Sequence, residues 1–497
     1  MAELKSLAKD TVIYGMSSIV GSFLNYLLVP LYTAKLSAAS GGYGVVTNMY
    51  AITALLLVVL TYGMETGFFR FVNKHDENST AVYSTTLISV GTSSLLFILL
   101  CFLFLHPISD FLGYANNPEF IGMMAIVVAL DAFQCIPFAH LRYKKRPIKF
   151  AAIKFLFILP NILLNIFFFV CCPWLLVHFP ASVSWFYNPG YGVGYAFVAN
   201  LICTSIQLLA LISELTGFKY KFDKALWKKM MAYSFPILIL GIAGILNQVV
   251  DKIIFPFLFT DHIEAKVQLG IYGAASKVAM VMTMFTQAFR YAYEPFVFGK
   301  NKEEGSLKLY ADAMKYFILF SLIAFLAVML YLDVFRYIIA KSYWSGLGVV
   351  PIVMVAAMLN GVYFNLSFWY KLIDKTMWGA YFSGVGCFLI ILLNVLLVPT
   401  YGYMACAWSS LIGYATVTII SYLVGQKKYP INYDLKGIGK YVLLTALLYV
   451  IAKFVVIDNI FLRLFFKTIL FSIFIAYIIK KDFPLKQIPV INRLIKK

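Results

Sequence analysis

LGIYGAASKVAMVMTMFTQAFRYAYEPFVF, residues 269 to 298, is apolar enough to cross a bilayer and yet carries Ser276, Lys277, Thr283, Gln287, Arg290 and Glu294. On a helix turning about 100° per residue, Ser276, Thr283, Gln287, Arg290 and Glu294 share a stripe roughly 60° wide, and Lys277 flanks it. A charge at mid-bilayer costs roughly 2.5 to 3.5 kcal/mol on insertion scales. The stripe is therefore expected to face a protein interior or a water-filled cavity. An inter-helix hydrogen-bond seam would account for the hydroxyls and the amide. Two cations and an acid exceed what a seam needs and favour a solute path.

Composition extends this reading to the whole chain. Of 497 residues, 62% are hydrophobic and 13% charged, and the mean hydropathy is +0.84. One core cannot bury that much apolar surface, which excludes a soluble globule. Segments of about 20 apolar residues, the length that crosses the hydrocarbon, recur at 11 to 32, 43 to 64, 83 to 105, 119 to 140, 148 to 172, 190 to 214 and 232 to 257. They continue at 270 to 292, 313 to 332, 347 to 369, 377 to 398, 402 to 424, 438 to 457 and 461 to 479. The expected fold is an all-α polytopic membrane protein of about 14 transmembrane helices. The first run is too long for a signal-peptide core and reads as a retained helix. Kinks are expected at Pro30, Pro160, Pro236 and Pro256. The seven cysteines lie in or at the ends of apolar runs without CxxC spacing, so neither a disulfide framework nor a metal site is expected.

Lys and Arg set the orientation. With the N-terminus inside, 32 of the 41 basic residues fall on the cytoplasmic side, so both termini are expected to be cytoplasmic. The net charge of +19 sits in short loop clusters such as RYKKRPIK at 142 to 149. Topology and anionic lipid heads explain it, and no nucleic acid is expected as a partner. The largest external loop, about Pro173 to Pro189, carries Trp174, His178, Trp185 and Tyr187 and reads as an interfacial aromatic belt. Gly-rich phosphate loops, HExxH and the nucleophile elbow are absent, so no enzyme activity, cofactor or ATP-driven work is expected of this chain.

The chain also repeats itself. An offset of 229 residues matches Tyr43 with Tyr272, Gly44 with Gly273, Thr47 with Ser276, Tyr62 with Tyr291, Glu65 with Glu294, Phe69 with Phe298 and Asn165 with Asn394. An offset of 210 then matches Pro189, Tyr191 and Gly192 with Pro399, Tyr401 and Gly402. Copies six spans apart keep one orientation and are related by an axis along the membrane normal. The expected domains are a six-helix lobe at 1 to 227, a second at 228 to 426, and two further helices with a basic tail at 427 to 497. Transporters of this build rock one lobe against the other around a central cavity. Besides the stripe, Thr47, Thr61, Glu65 and Arg70 are candidates to line it, as are Asp251 and Lys252 in NQVVDKIIF, and Asp131 is a further intramembrane acid. For Asp251 and Asp131 a purely structural ion pair is equally open.

At GMETGFFRF (63 to 71), IPFAHLRYKKRPIKFAAIKF (136 to 155), IYGAASKVAMVMTMFTQAFRYAYEPFVF (271 to 298), LSFWYKLIDKT (366 to 376) and LNVLLVPTYGYMACAW (393 to 408) the chain resembles the Wzx-type polysaccharide flippases. These belong to the multidrug/oligosaccharidyl-lipid/polysaccharide exporter superfamily. The resemblance spans the whole length and implies a MATE-like fold. It implies a carrier in the bacterial inner membrane that moves polyprenyl-pyrophosphate-linked oligosaccharide to the outer leaflet for O-antigen or capsule synthesis. Membrane lipids, a proton or sodium ion, and the polysaccharide polymerase and chain-length machinery are the partners that follow.

The residues suit such cargo. Arg290 can grip a diphosphate bidentately, Lys277, Lys252 and Arg70 add positive charge, and Gln287 adds a hydrogen-bonding amide. Asp251, Glu294, Glu65 and Asp131 are candidates for ion coupling. Three alternatives stand beside this reading. A MATE-type drug/cation antiporter would prefer an acid-lined cavity, which Lys252, Lys277 and Arg290 oppose. A lipid II flippase needs the same diphosphate chemistry. A membrane-embedded polysaccharide polymerase should lack the repeat and carry a substantial charged external loop.

Overall fold

The computed structural model describes residues 20, 23, 24, 26 to 73, 78 to 300, 306 to 373, 375 to 455 and 457 to 482; the side chains of 291, 292, 294 to 300 and 306 lie outside that description. Its long helices in chain order are α1 (Leu28–Lys35), α2 (Gly42–Thr61), α3 (Met64–Val72), α4 (Ser79–Leu103), α5 (Pro118–Tyr143), α6 (Pro147–Ile166), α7 (Gly194–Ala210) and α8 (Lys224–Ile254). Then follow α9 (His262–Lys300), α10 (Ser306–Leu330), α11 (Val350–Leu366), α12 (Met377–Tyr401), α13 (Tyr403–Lys428), α14 (Leu435–Phe454) and α15 (Ile460–Asp482). Among the described residues twelve helical stretches are long and apolar enough to cross a membrane, and the one at His262–Arg290 is the least apolar. Of the other two expected segments, 11 to 32 lies largely outside the described residues, and 190 to 214 contains α7, an apolar helix of 17 residues. Helices are what lipid demands, because a backbone without water must satisfy its own hydrogen bonds.

Local chemistry sets the helix starts. Asn78 accepts from the amides of Thr80 and Ala81 at the head of α4, Asp223 from Ala225 and Leu226 at α8, and Asp434 from Gly437 at α14. Each side chain satisfies donors that the first turn leaves orphaned. Pro118 and Pro147 open α5 and α6, where a missing N–H costs nothing. Pro160 and Pro236 lie within continuous α6 and α8, Pro30 lies in α1, and Pro256 falls in the 3₁₀ turn that ends α8. The irregularity in the fifth span comes after Pro160, as a π turn over Phe167–Cys171.

The chain forms two compact units that interleave along the sequence: Met1–Ala274 with Ile339–Gly346 and Met377–Gly413, and Ala275–Ile338 with Leu347–Thr376 and Tyr414–Lys497. In the first, Met64, Phe68, Val82, Leu87, Ile136 and Met230 form a buried core. Leu95, Leu99 and Leu103 at the other end of α4 are exposed, as a surface solvated by lipid tails should be. Also within the first unit, α2 crosses the start of α9 at the repeat-related glycines. A methyl on Gly44 would lie 1.9 Å from the Lys266 carbonyl oxygen, and one on Gly273 would lie 2.2 Å from Thr47 Oγ1. Only a hydrogen fits at either position.

In the second unit Phe317, Leu326, Tyr441 and Phe474 are buried together, joining α10 to the two C-terminal helices. Lys315 ties the same elements at one end through Asp434 and Asp482, and Tyr441 donates to Asp482.

Candidate functional site

The first charged site grows from a helix break. Tyr62 and Gly63 both adopt left-handed backbone, with φ of 33° and 73°, and separate α2 from α3. Glycine carries no Cβ penalty there. The repeat sets Gly63 opposite Ala292, where α9 runs on unbroken. The break buries Met64, Gly67, Phe68 and Phe71 and leaves Glu65 and Arg70 at the margin of α3. Glu65 is ion-paired with Arg142 at the end of α5, the two side chains being 40% and 34% exposed. The Arg142 guanidinium stands 5.0 Å over the Phe69 ring, and that of Arg70 stands 4.1 Å over Tyr233. Lys154 on α6 lies 4.1 Å over Phe138 and acts electrostatically on Asp131, Glu65 and Arg142.

Two predicted acids, Glu65 and Asp131, are thus grouped with Arg142 and Lys154. Arg142 reads as a loop charge in RYKKRPIK, and Lys154 lies near the start of the apolar segment 148 to 172, just beyond that basic cluster. Beside the break, Tyr62, Ser89, Ser93 and Trp227 line a cavity of about 530 Å³. Ser89 Oγ lies 2.6 Å from the Tyr62 hydroxyl and accepts from Trp227 Nε1 at 2.8 Å. Ile88, Leu96, Phe222 and Met231 complete a largely apolar lining, and neither Ser89 nor Trp227 stands out in the sequence.

Part of the same cluster is structural. Glu214, buried in the short helix Ile212–Leu215, receives Lys149 at 2.6 Å and His140 at 3.1 Å, with Arg146 at 3.8 Å.

The second site is Asp251, of which only 3% is exposed. It accepts from Lys252 Nζ at 3.0 Å, from the Lys252 amide at 2.9 Å and from the Tyr272 hydroxyl at 2.7 Å. Lys252 also stands 5.3 Å from the Tyr272 ring. The expected intramembrane acid is therefore satisfied by the next residue in the chain and by a tyrosine of the repeat.

The second unit contains the stripe beyond Ala274. Thr283, Gln287 and Arg290 are exposed and Ser276 and Lys277 partly so, whereas Val278 and Met282 are buried on the opposite side of α9. The Glu294 side chain lies outside the described residues. Arg290 stands 4.6 Å from the ring of Phe364, and Lys371 lies 4.8 Å from the same ring. The Lys and Arg count places Lys371 among the cytoplasmic basic residues. Its position roughly two helical turns beyond Phe364, in LSFWYKLIDKT, was the available signal. Arg70, Lys252, Glu65, Asp131 and Asp251 belong to the first unit; Lys277, Gln287 and Arg290 belong to the second.

Residues 7 to 292 match the model of a family described as polysaccharide biosynthesis protein. No curated protein matches the chain. Among solved structures it is similar to the lipid II flippase MurJ in an inward closed conformation, with TM-score 0.73, 14% identity, and coverage of 94% of this chain and 99% of that one. An inward-facing MATE multidrug transporter of the MOP superfamily gives TM-score 0.63 at 14% identity over 84% and 95% of the two chains. The MATE multidrug transporter DinF-BH gives 0.57 at 16% identity over 85% and 96%. At such identities the likeness establishes an all-α, MurJ- and MATE-like membrane fold.

Proposed function

The chain belongs to the polysaccharide biosynthesis protein family, and from that premise we propose that it is a flippase of the bacterial inner membrane carrying polyprenyl-pyrophosphate-linked oligosaccharide to the outer leaflet. The observation that carries the reading is the pair of cations, Arg290 and Lys371, held on the single ring of Phe364 beside the exposed polar side of α9. A guanidinium and an ammonium within reach of one ring suit a diphosphate, the first by bidentate hydrogen bonds and the second as a point charge. Exposure of Thr283, Gln287 and Arg290 favours a wet path over a buried seam. In this reading Arg290, Lys277, Lys252, Arg70 and Gln287 receive the cargo, and Asp251, Glu294, Glu65 and Asp131 couple its movement to a proton or sodium gradient by alternating access.

Duplication underlies the mechanism. Asn165 and Asn394, matched by the 229-residue offset, are both fully buried, and each donates to the carbonyl four residues earlier at 2.7 Å. Gly192 and Gly402, matched by the second offset, both have positive φ. Two parallel lobes at 1 to 227 and 228 to 426 remain our assignment; an experimental structure whose halves overlay only after inversion would overturn it. Both termini are assigned to the cytoplasm. A cysteine placed at Lys145 should stay protected from a membrane-impermeant maleimide in intact cells while one at the exposed Ser184 reacts, and the reverse pattern would invert the topology.

The cargo is tested in liposomes containing the purified protein and a fluorescent polyprenyl-diphosphate oligosaccharide, with dithionite bleaching only the outward-facing label. The bleached fraction should rise from about half towards completeness over minutes, well above protein-free liposomes. Lipid II moved as fast would widen the cargo to any polyprenyl diphosphate. Export of a cationic dye with no movement of either lipid would overturn the reading in favour of drug antiport.

A further inference from the structure

The second unit contains a charged cavity that the proposed cargo path does not use. It has a volume of about 450 Å³, and Asp333, Arg336, Lys453, Arg463 and Lys467 line it. The residues come from four places. Asp333 lies in the short helix Leu332–Phe335 after α10, Arg336 in the turn that follows, Lys453 at the end of α14, and Arg463 and Lys467 one turn apart on α15. The spacing of four puts the last two on one helix face. Both converge on Asp333 Oδ2, Arg463 Nε at 3.2 Å and Lys467 Nζ at 2.7 Å.

Lys453, Arg463 and Lys467 thus bring three cations to one carboxylate, a formal excess of two positive charges at the ends of apolar spans. Such an excess is costly next to lipid unless an anion completes it. The positive-inside tendency works against it as well. Nine basic residues fall outside the cytoplasmic set, and four of the nine line this one cavity. The remaining walls include Met329, Leu332, Pro351 and Val455, and on the neighbouring helices Leu447, Phe454, Phe461 and Phe465 are exposed as a lipid-facing surface. An anion bound here therefore has hydrocarbon immediately beside it.

We propose that this cavity binds the phosphate of a membrane lipid, with Arg463, Lys467 and Lys453 on the phosphate oxygens and the lipid chains lying along α14 and α15. The site is at the α14–α15 connection, opposite the C-terminal end of α15, which is the outer leaflet under the orientation proposed above; that leaflet assignment and the positive-inside count rest on the orientation, and the cavity and its ion pairs do not. A bulk phospholipid and a polyprenyl phosphate share the chemistry.

Binding to the purified full-length protein in detergent, followed by native mass spectrometry, tests the proposal. Phosphatidylglycerol and polyprenyl phosphate should bind, and diacylglycerol and polyprenol, which lack phosphate, should not. Lys453→Gln, which leaves the Asp333 ion pairs in place, should weaken phosphate-lipid binding by roughly three- to tenfold. Asp333→Asn should tighten it by a similar factor, because the competing carboxylate charge is gone, and a misfolded variant cannot mimic a gain. Tighter binding of polyprenyl phosphate identifies a carrier-lipid site, and equal binding identifies a general phospholipid site. Equal binding of diacylglycerol and phosphatidylglycerol, or affinities unchanged in Lys453→Gln, would overturn the proposal.

Discussion

Arg290→Ala is expected to abolish display of surface polysaccharide while the protein still reaches the membrane at normal abundance. The side chain is exposed and rests on the Phe364 ring, so its truncation opens no cavity in the second unit. What is lost is the grip on the cargo. A hydrogen bond to a charged partner contributes about 1.5 to 3 kcal/mol, so losing two to a diphosphate lowers transport by roughly a hundredfold or more. Arg290→Lys should restore only part of the export, because an ammonium keeps the charge but not the planar fork. The competing account makes Arg290 a structural partner of Glu294, one turn further along α9. Glu294→Gln should then lower abundance as much as Arg290→Ala does. Normal export by well-expressed Arg290→Ala would remove Arg290 from the cargo site.

The second large effect belongs to Asp251. Its carboxylate is buried and accepts from Lys252 and Tyr272. Asp251→Ala leaves the Lys252 ammonium without its carboxylate in an apolar span, and because the lysine keeps the Gln248 carbonyl and is 22% exposed, the cost is at most the roughly 3 to 5 kcal/mol of breaking a buried pair from one side. Abundance should fall several-fold and transport should disappear. Removing both charges in Asp251→Leu with Lys252→Met avoids the stranded cation and should return the protein to the membrane. If Asp251 carries the coupling ion, gradient-driven flipping stays lost in that restored double variant. Flipping that returns in step with abundance would make the pair structural only.

Much of this was legible in the residues. A helix repeats every 3.6 residues, so the exposed side of α9 formed by Thr283, Gln287 and Arg290 could be drawn before any coordinates, as could the buried side at Val278 and Met282. Gly44 and Gly273, matched by the 229-residue offset, both lie where α2 and α9 approach closely, a place where small residues are needed. The break at Tyr62 and Gly63 had a faint signal, glycine in one copy against Ala292 in the other, which periodicity does not register.

The sequence by itself therefore determined a polytopic all-α membrane protein and the polar stripe of its least apolar span, because hydropathy and helical period are local properties of a chain. Only the tertiary structure decided which charges meet. Glu65 pairs with Arg142 across 77 positions, Arg290 and Lys371 share the ring of Phe364, and Asp333 draws in Arg463 and Lys467 from the last helix. Asp251 could have found a partner on any neighbouring helix, yet its ion pair is with the adjacent Lys252, whose flexible stem bends the ammonium back to the carboxylate. Pairing depends on which helices pack and on the register at which they cross. That register is set by the sum of many apolar contacts along both helices, and no single residue spacing records it.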